Sequence, residues 1–473
     1  MKEQSQSFMH FLVKHRFELV FSLIQAALVV LFCLFTSFGP AGSLALASTP
    51  TDKEGSALYP YYQDTKVMLL LGVGFIMTSL RSHAWTSIGL NLLICALAMQ
   101  VYVLSIGFWT CVVSREWRLI EVSVKTLVAA NFCTSSVLIG FGAVLGKMSP
   151  LQHMTMALCQ TFLYALQAYV FYVFFEGVDA GGSITTHTYG TYFGLTTTWI
   201  IEHSGKKCKT EVSSHSNLFC WIGTLLLWVY WPSFNAVVAV YSGRTRAVVN
   251  TVLALCGSTM ATYLTSALFH GTKFSIVDVL NATLAGGVSI GSSADWILHP
   301  YEALLVGMLT GILTTICYNK LTPFLEEKAK LFDTCGTNNL HGIPGLIGGF
   351  ISAIVLGNMD DPLFEEVFGR SQRKQALIQL AGMGVSVGVA VFGGLLVSAL
   401  CKLVKLPHSL YNDDEWWDLR EVEVANETVA TAMRRRQTSE LEAAPLPQTL
   451  PMQPSSPQYS LIASQPISSE DKP

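Results

Sequence analysis

Charge is what this sequence has least of. Lysine, arginine, aspartate and glutamate make up 13% of its 473 residues, about half the share of an ordinary soluble domain. The net charge is only −3, so there is no basic footprint for nucleic acid. The 11 cysteines include no Cys-x-x-Cys pair. Cys33, Cys95, Cys133, Cys159, Cys220, Cys256, Cys317 and Cys401 fall in apolar runs, and among expected exterior loops only Cys111 stands out. A disulfide framework is therefore not expected, and the thiols read as small packing residues. There is no nucleotide-binding loop and no catalytic motif, which argues against an enzyme; neither a cofactor nor a metal is expected. What is abundant is apolar side chain, 51% of the chain, and that composition is a membrane protein's.

Residues 1–16 are polar and end in Lys14-His15-Arg16. Phe17–Phe38 is then an apolar run long enough to span a bilayer. Ala45-Leu46-Ala47 could pass as a signal-peptide cleavage site, but the run is long for a signal core and is read as a retained first helix. Residues 39–65 are expected to form a Gly/Ser/Thr loop carrying Asp52, Lys53 and Glu54. Further spans are expected near 66–80, 85–108, 122–146, 151–175, 183–201, 216–240, 247–270, 276–294, 300–319, 338–357 and 376–403. With the first, about twelve transmembrane helices make an all-α polytopic membrane protein occupying 17–403. Some spans carry Gly, Ser and Thr at spacings that let membrane helices approach closely; others are too polar for a strict apolar count.

Charge bias sets the expected orientation. Arg81, Lys147, Lys206, Lys207, Lys209, Lys273, Lys320, Lys328 and Lys330 fall on the side of the N-terminus. Lys53, Arg115, Arg118, Arg244, Arg246 and a mixed-charge loop at 358–375 fall opposite. The excess places both termini in the cytoplasm. Residues 404–473 carry Pro445, Pro447, Pro451, Pro454, Pro457, Pro466 and Pro473 and read as a disordered cytoplasmic tail, with room for a short charged helix within 412–436. Such a tail is a candidate dock for regulatory or cytoskeletal proteins. Its Arg434-Arg435-Arg436-Gln437-Thr438-Ser439 run fits a solvated charge cluster, a basophilic kinase site or an anionic-lipid contact.

Two stretches stand apart. One is Asp179-Ala-Gly-Gly-Ser-Ile-Thr-Thr-His187-Thr-Tyr-Gly190; the other is Asp333-Thr-Cys-Gly-Thr-Asn-Asn-Leu-His341-Gly342-Ile-Pro-Gly345. In both, an Asp precedes a His by eight residues and glycines follow. A continuous helix would raise each His about 12 Å above its Asp, close to the midplane of a hydrocarbon core about 30 Å thick. An Asp in either position also suits a helix cap, and a lone His in an apolar helix is ordinarily a packing residue. The repetition favours a pore with a polar centre, because ionisable groups inside a membrane are costly and usually line a pathway. Counted from the second span, each His lies on the fifth helix of a five-helix unit, approximately 66–201 and 216–357. Five is odd, so consecutive units are inverted relative to one another.

These residues, with Tyr192-Phe193-Gly194-Leu195 and Asn281-Ala-Thr-Leu-Ala-Gly-Gly287, resemble the Rh glycoprotein branch of the Amt/Rh ammonium transporters, over roughly residues 10–405. The resemblance implies a homotrimeric plasma-membrane channel passing ammonia or ammonium, with His187 and His341 as its twin pore histidines. It also implies a gate of Phe132 and Phe234 stacked above them. Two departures bear on the outer vestibule. Asn131 stands where Rh proteins often carry an Asp, and Ala168, next to Gln167, where many carry an acid. The first extracellular loop lacks the Asn-x-Ser/Thr sequon that animal Rh glycoproteins often carry there, and Asn281 and Asn426 are not expected as glycan sites.

Two neutral imidazoles can bond to each other and leave their remaining nitrogens for a permeant. Bare ammonium loses far more on leaving water than ammonia does, so a deprotonated species, or a proton and ammonia moving separately, is the expected cargo. Methylammonium and carbon dioxide are further candidates. A structural membrane subunit is the alternative reading, against which both histidines are retained. A metalloenzyme is a third, disfavoured because an interval of eight separates Asp and His by about 80° and two turns.

Overall fold

The computed structural model describes residues 15–39, 50–202, 214–239, 241–359, 364–403 and 413–419, and among these the chain is helical almost throughout. Helix α1 (Arg16–Phe35) leads into the two-residue strand β1 (Thr36–Ser37). Helix α2 (Pro50–Val67) continues through a π-helical turn (Met68–Val73) towards Ser79. Helix α3 (Ala84–Ser114) is followed by strand β2 (Ile120–Glu121), which pairs in parallel with β1. Then come α4 (Val124–Val144), α5 (Pro150–Tyr169), α6 (Tyr189–Glu202, entered through a π-helical turn, Ser183–Thr188) and α7 (Ser214–Ala236). Helix α8 (Tyr241–Phe269) precedes the broken α9, made of Ile276–Ala282 and Ala285–Ile290 with a 3-10 turn at Gly291–Ser293. Helix α10 (Pro300–Ile316), α11 (Ile343–Gly357, entered through a π-helical turn, Asn338–Gly342) and α12 (Gln372–Leu403) complete the set.

Twelve helical spans are thus present among the described residues, and eight of them are long and apolar enough to cross a membrane on that ground alone. The other four are α2, α6, α7 and α9. Helix α6 is rich in threonine, and its hydroxyls turn back onto its own carbonyls: Thr196 donates to Tyr192 O and Thr197 to Phe193 O, each at 2.8 Å. A buried hydroxyl paired in this way can sit inside a bundle without water. Helix α1, near the N-terminus, has only 6% of its membrane window buried and presents Leu23, Val29 and Leu34 outward. Helix α4 is the opposite case, buried over 89% of its window.

Three expectations need correcting. Residues 50–65 are helix, not loop. That stretch is polar, but tertiary partners hold it: Asn131 donates to Thr65 Oγ1 at 2.7 Å, and Ser233 to Asp64 Oδ2 at 2.6 Å. Cys111 belongs to α3 and is buried; it donates to Arg118 O at 3.7 Å, and no cysteine among the described residues is in a disulfide. The mixed-charge stretch at 358–375 contains a short helix (Phe364–Phe368) and the first turn of α12.

Of the expected charged helix within 412–436, Asp413–Trp416 is helical. Asp413 is buried and accepts from Trp85 N at 3.0 Å, Thr86 N at 2.9 Å and Thr86 Oγ1 at 2.5 Å. It thereby caps the start of α3 from the far end of the chain. Trp416 meets Phe17 edge to face at 5.9 Å. The rest of the tail, including Arg434-Arg435-Arg436, lies outside the described residues, as do the lysines at 206, 207 and 209.

Helices α8 and α10 touch backbone to backbone. A Cβ on Gly307 would stand 2.0 Å from Ala254 O, and one on Gly311 would stand 2.6 Å from Ser258 O. This four-residue glycine spacing is the small-residue contact on which membrane helices associate without a hydrophobic driving force. Gly307→Val is expected to separate the two helices and destabilise the fold by about 1–3 kcal/mol. Thermal denaturation of the purified variant in detergent should show a lowered midpoint; an unchanged midpoint would refute the close packing.

Candidate functional site

The helix carrying His187 starts late. Asp179, Ala180 and Gly181 precede a left-handed turn at Gly182 (φ 70°), a conformation that favours glycine, and only then does the π-helical turn begin at Ser183. Counting eight helical residues from the acid is therefore wrong here, because the chain folds back before it rises. The Asp179 carboxylate accepts from Ile184 N at 3.3 Å, Thr185 N at 2.7 Å and Thr185 Oγ1 at 2.8 Å, and from the Ser292 hydroxyl. It reaches amides two and three residues before the imidazole, so acid and ring are nearer along the axis than 12 Å.

Asp333 does the same work at its own helix. It accepts from Asn338 N at 2.7 Å and Thr337 Oγ1 at 3.1 Å, ahead of the π-helical turn that carries His341. The buried Lys147 ammonium fixes the preceding residue by donating to Phe332 O and, at 2.8 Å, to Thr198 Oγ1. The two stretches thus share one local plan: acid, turn, π-helical turn, histidine.

The two imidazoles meet. Nδ1 of His187 lies 3.1 Å from Nδ1 of His341, with rings parallel to within 1°. Such a contact requires one Nδ1 to carry a proton and the other to be bare. When both rings are neutral, the donating ring therefore has a bare Nε2 and the accepting ring an Nε2–H. The pair as a whole offers one acceptor and one donor, and Nε2 of His187 has no partner in the structure.

Phe132 and Phe234 also come together, with ring centroids 4.3 Å apart and planes inclined by 32°. Both are buried. Phe132 faces a cavity of about 650 Å³ that includes Asp179, and Phe234 faces one of about 350 Å³ that includes both histidines and Asp333. The ring pair stands between the two cavities. His187 is 6.1 Å from Phe234, centroid to centroid.

Trp231 is a site residue to which the sequence reading gave no role. Its indole lies nearly parallel to the His187 ring (5.8 Å, 19°), lines the same cavity, and has no partner for its buried Nε1–H. Helical spacing held the clue, since Trp231 precedes Phe234 by three residues and shares its face. Gly287, in the Asn281–Gly287 motif, lets the indole lie flat: a Cβ there would be 2.9 Å from three ring atoms. Asn131 turns its amide to Thr65, while Ala168 lies on the wall of the Asp179 cavity. Gln167 is tied between Thr185 O and the Ser386 hydroxyl. Among the described residues no cluster of three His, Cys, Asp or Glu side chains could hold a metal ion.

Comparison with known proteins bears on this geometry. The model of the Ammonium Transporter Family matches residues 20–423. Ammonium transporter Rh type C of Oryctolagus cuniculus is 36% identical over 433 residues, covering 86% of this chain and 92% of that protein. Ammonium transporter Rh type B of Tetraodon nigroviridis is 37% identical over 406 residues, covering 81% and 87%. The solved structure of Nitrosomonas europaea Rh50, from work on conduction by the Rhesus protein family of channels, superposes with a TM-score of 0.69 at 32% identity over 82% of this chain and 99% of that one. Candida albicans Mep2, at 18% identity and a TM-score of 0.61 over 77% and 88%, shares the fold. With the family model spanning most of its length and relatives of this identity covering it, the chain belongs to the ammonium transporter family, in its Rh branch.

Proposed function

We propose that this protein is a passive channel that recruits ammonium at the Asp179 mouth, releases its proton back to the water of that mouth, and passes neutral ammonia through the Phe132–Phe234 pair and along His187 and His341. Transport of ammonium or ammonia follows from family membership; the species and the residue roles are our reading. The observation that carries it is the 3.1 Å Nδ1–Nδ1 contact on the wall of a buried cavity. A neutral, mutually bonded imidazole pair offers one donor and one acceptor, which suits ammonia, itself both. Ammonium has only donors and would bring an unhydrated charge into the same space. Two aromatic faces ahead of the pair can hold the cation until its proton leaves.

The charge bias of the connections supports both termini in the cytoplasm, and the family supports a homotrimer in the plasma membrane. A scaffold needs neither paired imidazoles nor cavities on both sides of an aromatic pair, so transport is favoured over it. The most direct experiment is flux of ammonia, methylammonium and carbon dioxide into vesicles reconstituted with the protein, with membrane current recorded. Uptake should follow the ammonia gradient with little net current when pH and voltage are varied separately at fixed total ammonium. A saturating, voltage-dependent inward current that vanishes in His187→Ala would overturn the neutral-cargo mechanism.

Two further outcomes follow. His187→Ala or His341→Ala should lower ammonia flux or its selectivity about tenfold, the worth of one polar contact in a dry site, while assembly on size exclusion is unchanged. Unaltered flux and selectivity in both variants would remove the histidines from the pathway. At Asp179 the expected role is the cap, worth about 1–2 kcal/mol. Asp179→Asn should keep part of the transport, since an amide oxygen still accepts, and Asp179→Ala should lose it. If Asn is as inactive as Ala at equal surface expression, the charge is essential and the capping role is insufficient.

A further inference from the structure

The cavity at the Asp179 mouth is lined by two buried carboxylates, and only one of them is fully committed. Asp179 spends its oxygens on Ile184 N, Thr185 N, Thr185 Oγ1 and the Ser292 hydroxyl. Asp295 lies in the connection between α9 and α10, 4% exposed, and its Oδ1 has no hydrogen-bond partner. The same cavity is walled by Phe132, Tyr172 and Trp296. An orphaned carboxylate oxygen beside aromatic faces at the edge of a membrane protein is an arrangement that suits a small cation.

We propose that Asp295 is the cation-recruiting carboxylate of this vestibule, holding an ammonium ion against the aromatic wall before it reaches Phe132. This rests on the ammonium-recruiting step proposed above and assigns it to a residue. Neighbouring cations do not occupy the free oxygen. Arg246 donates its Nε to the main-chain oxygen of Asp295 at 2.7 Å. Arg244 directs Nη2 to Val237 O and Ala239 O and lies over the Tyr61 ring at 5.3 Å. Lys125 and Arg244 share the cavity wall; their charge opposes ammonium there and keeps the gain from Asp295 modest.

Burial pushes the Asp295 carboxyl up to about 7; Arg246 acts against that rise and Asp179 adds to it. The carboxyl is therefore largely neutral below that value and charged above it. Recruitment should strengthen as pH rises through about 7, with ammonium counted as the ionised species.

The test is ammonium uptake by vesicles carrying the full chain, measured from about pH 6 to pH 8. Asp295→Asn should raise the half-saturating ammonium concentration about three- to tenfold, the range of one partly screened contact. It should do so more than it lowers maximal flux, and the pH-dependence of half-saturation should flatten. Asp295→Glu, which keeps the charge, should restore most of the affinity. Wild-type affinity and pH profile in Asp295→Asn would overturn the assignment while leaving the transport reading intact. Absence of ammonium-dependent flux in the wild-type vesicles would instead overturn the transport reading. Should Asp295→Asn fail to fold, the wild-type profile decides: a half-saturating concentration flat across this pH range overturns the proposal.

Discussion

The centre of this molecule depends on two helix starts that lie inside protein, where no solvent can satisfy their amides. A helix leaves its first N–H groups unpaired, and in a membrane interior each one costs several kcal/mol if left so. Asp179 takes up Ile184 N and Thr185 N, and Asp333 takes up Asn338 N. Because the carboxylates bind so few residues ahead of the imidazoles, they fix the first turn of each helix and with it the direction of each ring. The 3.1 Å contact between His187 and His341 is the joint product of two caps set on separate segments. Lys147 extends the same device by one step, holding Phe332 so that Asp333 is presented correctly.

Much of this was legible from residue order. The apolar runs gave the twelve spans, including the four too polar for hydropathy alone, because a bilayer demands length and internal satisfaction more than it demands unbroken apolarity. The repeated Asp-to-His interval marked both capped turns, and the family resemblance brought Phe132 and Phe234 together. What sequence spacing missed is instructive. The rise from Asp179 was overcounted because Gly182 takes a left-handed turn before the helix starts. Pro50 to Thr65 reads as loop because it is polar, and it becomes helix through contacts such as Thr65 with Asn131, far away in the chain. Trp231 stands three residues before Phe234, but only the packing of Gly287 beneath it shows why the indole should face His187. Asp295 sits in no motif at all, and its interest arises from a cavity formed by seven separate parts of the chain.

The two cavities differ in what surrounds them. One combines aromatic rings with charged groups of both signs, Asp179, Asp295, Lys125 and Arg244. The other combines Leu, Met and Ile side chains with the imidazole pair, the Trp231 N–H, Asp333, Glu326 and several hydroxyl and amide groups. Between them the Phe132–Phe234 pair interrupts the path with two apolar rings.

The capping of α3 by Asp413 has a consequence for the order in which the chain can be completed. Thr86 and Asp413 are 327 positions apart, so the third span emerges from the ribosome long before the group that satisfies its first amides. Until Asp413 has been made, that helix end must rely on water or on the insertion machinery, and the native hydrogen bonds there close last. Every other span already exists by then. A chain that stops short of Asp413 thus has all its membrane segments and still one helix end whose first amides lack their native partner.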